Sequence, residues 1–107
     1  MRGIPLKLAD GKEYYFVSIP FGDKGKEMLE IMSEIHQLAF DTKPINLKEV
    51  YEKWETLFRL SLSFNYPKEE IDRIFNEGIL DLSYRDRIRD ILNGNIENFT
   101  MPETPAK

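Results

Sequence analysis

The sequence predicts an α+β domain, mostly α, in which an N-terminal β-hairpin packs on about four helices. Three observations lead there. Two alternating apolar segments flank Asp10-Gly11, and beyond residue 25 the apolar side chains recur at spacings of three and four. Turn-forming residues around Pro44, Pro67, Gly78 and Gly94 cut that helical pattern into separate pieces. At 107 residues the chain is long enough for one hydrophobic core and too short for two. Residues 1–94 are therefore expected to form a single domain, and residues 95–107 a flexible C-terminal tail.

The hairpin is expected over residues 4–19, with Asp10 and Gly11 at the centre of a type I′ turn. A two-residue loop there pairs Leu6 with Tyr15 and Ile4 with Val17. Ile4, Leu6, Leu8, Tyr15, Val17 and Ile19 then share the face that packs on the helices. Lys7, Tyr14 and Phe16 fall on the opposite face. That face is read either as a contact surface or as one covered by a further helix or a second copy of the chain.

Pro20 ends the second strand, and the loop from Phe21 to Gly25 leads into a helix of about residues 26–40. Its apolar stripe is Met28, Ile31, Met32, Ile35, Leu38 and Ala39, with Leu29, His36 and Phe40 along one edge. After the break at residues 41–45, Asn46 is placed as an N-cap with Glu49 at the third helical position. The long helix that follows to Phe64 carries Leu47, Val50, Tyr51, Trp54, Leu57, Phe58, Ser61 and Leu62 toward the core, and Leu60 and Phe64 widen this stripe.

Asn65-Tyr66-Pro67 stops that helix, because Pro67 excludes Tyr66 from the α region and itself suits a first helical turn. A short helix to about Glu77 should bury Ile71, Ile74 and Phe75, with Gly78 ending it. Ser83 and Asp86 have cap spacing for a last helix, whose apolar face is Tyr84, Ile88, Ile91 and Leu92 and whose C′ position is Gly94.

Composition narrows the function. The chain is 41% hydrophobic and 32% charged, unlike disordered sequences. It has no apolar run of the roughly 18 residues that a membrane span needs, and residues 1–5 lack the apolar stretch of a signal peptide. With no cysteine, it is expected in a cytoplasm, with neither disulfides nor thiolate metal sites.

No enzyme chemistry is expected, and no cofactor or metal. Acids at helical spacing, such as Glu30 with Glu34, fall on solvent faces, where carboxylates make poor acid/base catalysts. Gly22-Asp23-Lys24-Gly25-Lys26 lacks the spacing and hydroxyl of a phosphate loop, and the lone His36 sits at a helix boundary without partners. The net charge of −4 makes nucleic acid an unfavoured partner. Arg85, Arg87 and Arg89 on the last helix nevertheless keep a helix-turn-helix-like regulator as the alternative function. The surplus aromatics point instead to protein binding: Tyr14 and Phe16 on the hairpin, and Phe64 with Tyr66 where the central helix ends, are the candidate partner-binding residues.

Residues 57–94, with an apolar helix ending in Asn65-Tyr66-Pro67, a brief acidic helix and a final amphipathic helix stopping at Gly94, resemble the tail assembly chaperones of long-tailed bacteriophages and prophages. Ile4-Pro5-Leu6-Lys7-Leu8 with Asp10-Gly11-Lys12-Glu13-Tyr14 is similar to that family's N-terminal hairpin. The resemblance covers about half the chain; residues 21–51 share only helical character. It implies a non-catalytic protein of the host cytoplasm that binds the tape measure protein, gives way to tail tube subunits and is not part of the mature virion. It further implies that a longer product can arise by ribosomal frameshifting, an extension that a flexible tail after Asn95 would tolerate. Self-association is expected on separate grounds, from the hairpin's apolar far face and open strand edges.

Overall fold

The computed structural model describes residues 2–40 and 46–94; the tail expected over 95–107 lies outside them. Two strands, β1 (Ile4–Lys7) and β2 (Glu13–Phe16), form an antiparallel hairpin. Helices α1 (Asp23–Ala39), α2 (Leu47–Leu62), α3 (Lys68–Asn76) and α4 (Arg85–Leu92) follow, with a 3-10 turn over Leu82–Tyr84 before α4. The α+β, mostly α class holds.

The hairpin register is displaced by one residue from the expected one: Leu6 faces Tyr14 and Ile4 faces Phe16. The cause is the turn. A type I′ turn needs positive φ at both central residues, and among the described residues only glycines have it, Gly11 at φ 82° being one. Asp10 keeps a negative φ and uses its carboxylate locally, where Oδ1 accepts the Lys12 N–H at 3.0 Å and Oδ2 the Tyr14 hydroxyl at 2.7 Å. Leu8 O accepts the Gly11 N–H and Leu8 N–H donates to Lys12 O, both at 3.0 Å, so the loop contains three residues rather than two. One extra residue turns over every side chain of β2. Tyr14 and Phe16, expected on the far face, therefore point into the core at 3% and 0% exposure, while Tyr15 turns outward. Val17 is buried beyond the end of the ladder.

Helix α1 starts three residues earlier than expected. Its first turn comes so close to the preceding loop that a Cβ on Gly25 would sit 1.7 Å from Pro20 O. Met28, Met32 and Ile35 are buried, Ile31 and Leu38 half-buried, and Ala39 exposed. Asn46 caps α2 as expected, its side chain accepting the Glu49 N–H at 3.1 Å. The expected stripe of α2 divides along its length: Trp54, Leu57, Phe58, Ser61 and Leu62 are buried and Val50 half-buried, but Leu47 and Tyr51 are exposed.

Helix α3 buries Ile71 and Ile74, and Ile79 and Leu80 in the connection to α4 are buried as well. Arg59, braced by Glu55 of its own helix at 3.0 Å, ties α2 to α3 through Asp72 at 2.7 Å, with its guanidinium 4.5 Å from the Phe75 ring centroid. The expected Ser83–Asp86 cap is replaced by Asp81, whose carboxylate accepts the Ser83 N–H at 2.9 Å and opens the 3-10 turn, so α4 begins later, at Arg85. Gly78 and Gly94 follow the ends of α3 and α4 as expected, at φ 68° and 77°.

The hairpin is locked to the helices through its backbone. Ala9 N–H donates to Ile79 O at 3.2 Å, and Ile19 N–H to Leu92 O at 3.0 Å. On the outer edge of β2, Tyr15 N–H donates to the Tyr66 hydroxyl at 2.8 Å and Val17 N–H to Ser61 Oγ at 2.8 Å; Ser61 Oγ in turn donates to Val17 O at 3.1 Å. Side chains from α2 and the turn after it thus take the place of a third strand.

Candidate protein-binding surfaces

Of the four aromatics expected to meet a partner, two are unavailable for it. Phe16 is wholly buried. The Tyr14 hydroxyl donates to Asp10 and accepts from Arg73 Nη2 at 3.0 Å, and Arg73 also holds Glu70 at 2.6 Å, so a polar chain joins the hairpin tip to α3. Burial, together with the neighbouring Asp10 carboxylate, pushes the Tyr14 hydroxyl above its ordinary pKa; the same hydrogen bond, with the Lys12 N–H, holds Asp10 below its own.

The other two, Phe64 and Tyr66, lie half-buried at the end of α2 and already have internal duties. Tyr66 caps β2 and packs on Tyr14 with ring centroids 5.8 Å apart, and Lys24 Nζ lies 4.6 Å from the Phe64 ring centroid. Beside them, Leu60, Tyr66 and Ile71 line an open hollow edged by Arg59 and Lys68. The hairpin basis for self-association falls with the inverted face and the covered edge of β2. Pro5, lacking an N–H, blunts the remaining edge on β1.

The larger apolar exposure lies at the other end of α2. Asn46 starts that helix, and the i, i+3, i+7 spacing then puts Leu47, Val50 and Trp54 on one face. Ile35 and Ala39 face them from α1, and α4 closes the third side. The result is an open groove of about 300 Å³ with an apolar floor and with His36, Arg85 and Arg89 at its rim. Leu47 is 74% exposed, whereas Trp54 at the base is 5% exposed and packs on Phe58 at a centroid distance of 5.7 Å. Tyr51, 51% exposed, continues the apolar surface around the helix.

The opposite flank of the α1–α2 pair is polar. Glu34, Glu49, Glu52 and Lys53 line a cleft there, and Lys53 Nζ bridges to Glu34 Oε1 at 2.8 Å. That hydrogen bond is the first cause of the raised Lys53 pKa, and it fixes the spacing of the two helices from behind the groove.

Sequence spacing had assigned Leu47 and Tyr51 to the core, since periodicity finds an apolar stripe without revealing whether the chain covers it. The pairing of Arg85 with Arg89 on one helix face was the available signal for the rim. Among the described residues, no group of three or more His, Asp or Glu is arranged to hold a metal ion, and no helix is long and apolar enough to cross a membrane. No protein-family model, curated protein or solved structure matches this chain.

Proposed function

We propose that this chain is a non-catalytic tail assembly chaperone of a phage or prophage, acting in the host cytoplasm. It covers apolar helical segments of the tape measure protein and releases them as tail tube subunits arrive. The observation that carries the reading is the uncovered apolar face at the start of α2, where Leu47 and Tyr51 remain exposed beside an open groove. Scattered surface apolar residues are ordinary, but grouped ones around a concavity suit a macromolecular partner. A tape measure is a long helical protein whose apolar surface aggregates unless covered, which is the need such a groove meets.

The test is co-expression with a tape-measure-like coiled coil that is insoluble alone. The partner should become soluble and co-purify with the chain. Unchanged insolubility, with this protein folded and in excess, would count against the chaperone reading. Arginine-dependent retardation of duplex DNA at physiological salt would favour the regulator instead, since Arg85 and Arg89 stand on one face of α4.

A further inference from the structure

The chemistry of the partner can be taken one step further within the protein-binding reading above. We infer that the groove between α1, α2 and α4 receives an amphipathic helix whose apolar stripe is flanked by acidic residues, with Arg85 and Arg89 selecting the acids.

The walls decide that the occupant is helical. Leu47, Val50 and Trp54 come from the middle and start of α2, Ile35 and Ala39 from α1, and the two arginines from α4. Away from their ends, the backbone groups of these helices are spent on their own ladders, and the groove has no strand edge among the described residues. An extended segment laid in it would bury unpaired N–H and C=O groups; a helix arrives with its own already paired. Polar groups do not converge on the floor in the way that fixes a small ligand.

The rim decides the charge. Arg85 Nε lies 3.5 Å and Arg89 Nη2 3.4 Å from the same oxygen of Asp86, so two cations share one carboxylate and one positive charge is left over. Both side chains are about half exposed, at 48% and 43%, and so can turn toward a newcomer. Across the α1–α2 pair, the cleft with Glu34, Glu49 and Glu52 has the opposite character. An acidic helix is therefore favoured on one flank of the α1–α2 pair and repelled from the other, and the choice of flank follows. The net charge of −4 does not prevent this at physiological salt, where charges beyond about 8 Å are largely screened.

Trp54 at the base of the groove provides the readout. The probes are two synthetic helices with leucines at i, i+3, i+4 and i+7, one flanked by glutamates and the other, otherwise identical, by lysines. The acidic helix should shift Trp54 emission and bind at least tenfold more tightly than the basic one, with the preference weakening as salt rises. Arg85→Glu with Arg89→Glu should reverse the order, and Leu47→Glu should weaken the acidic helix at least tenfold. All three positions are exposed or half-exposed, and circular dichroism checks the fold of each variant.

Equal binding of the two helices, no binding of either, or indifference to the arginine pair overturns the inference. So does displacement of the acidic helix by duplex DNA at physiological salt, which would assign the arginines to phosphate. Co-expression separates this failure from that of the chaperone reading. If wild type and the double arginine variant solubilise a tape-measure-like partner equally, the groove is wrong and the chaperone reading stands. If the acidic helix binds as described but wild type leaves that partner insoluble, the groove stands and the chaperone reading falls.

Discussion

Replacing Ser61 by Ala removes a single oxygen and should nevertheless be among the more damaging changes available on α2. Ser61 is fully buried, and its hydroxyl accepts the Val17 N–H at 2.8 Å while donating to Val17 O at 3.1 Å. Val17 is itself only 5% exposed, so neither of its backbone groups can turn to bulk water. The space vacated by one oxygen is too small to admit a water in its place. Leaving a buried donor or acceptor unsatisfied costs about 1–3 kcal/mol each, and two are left, the carbonyl being the more tolerant. The expected loss is about 2–4 kcal/mol, a large part of the 5–15 kcal/mol typical of whole domains. Urea unfolding followed by Trp54 fluorescence measures it, with the midpoint falling on the order of 1 M and the slope unchanged. Ser33→Ala, on the exposed side of α1, is the control and should stay within about 0.5 kcal/mol. If the two variants unfold at the same urea concentration, the side-chain cap on β2 does not carry the hairpin.

Phe16→Ser should act on the fold rather than on any interface, because the side chain is wholly buried; losing a ring of this size costs about 3–5 kcal/mol, read as a lowered urea midpoint. Trp54→Ala should cost a similar amount, about 3–5 kcal/mol, and iodide should quench native Trp54 far less than the unfolded chain, a difference that disappears if α2 is rotated from its described position. Asp10 titrates below its ordinary 3.8 because the Tyr14 hydroxyl, and then the Lys12 N–H, bond its carboxylate. The stability this contributes is present above the unfolded value and is lost as pH falls through the folded one. Tyr14→Phe should therefore flatten the decline in stability below about pH 4, and an acid limb as steep as that of wild type would show that the bond has no thermodynamic weight. The same substitution should also soften the loss at high pH, because the raised Tyr14 pKa gives stability that is present below 10 and disappears as pH climbs through the folded value.

The helical part of the fold was legible because its signals are local. Asn46 caps α2, Gly78 and Gly94 follow α3 and α4, and the buried residues of α3 and α4 fall on the stripes that spacing picks out. The hairpin failed at one point, and that point had a large effect. Asp10-Gly11 suits a two-residue turn, but the Asp10 carboxylate gains more by accepting Lys12 and Tyr14 from a negative φ than by entering the left-handed region. Alternation has a period of two, so one added loop residue exchanged Tyr14 and Phe16 with Tyr15 and removed two of the four candidate contacts. Nothing local could have decided it, because the competing partners include Arg73, which reaches Tyr14 from α3.

Helix α2 divides its work along its length, and stability and binding separate with it. Its C-terminal half is fully engaged, with Leu57, Phe58 and Leu62 in the core and Ser61 in the place of a neighbouring strand. Its N-terminal half holds to the rest of the protein through Trp54, a half-buried Val50 and the Lys53–Glu34 bridge, leaving Leu47 and Tyr51 outside. A helix with one end anchored in a core and the other apolar but uncovered can present a binding surface without depending on the bound state for its folding. Changes at Leu47, Arg85 and Arg89 should thus alter recognition and spare the fold, whereas changes at Phe16, Trp54 and Ser61 should damage the fold whatever the partner. Trp54 joins the two halves, buried against Phe58 on one side and lining the groove on the other, so it is the residue through which occupancy of the groove should be felt as added stability.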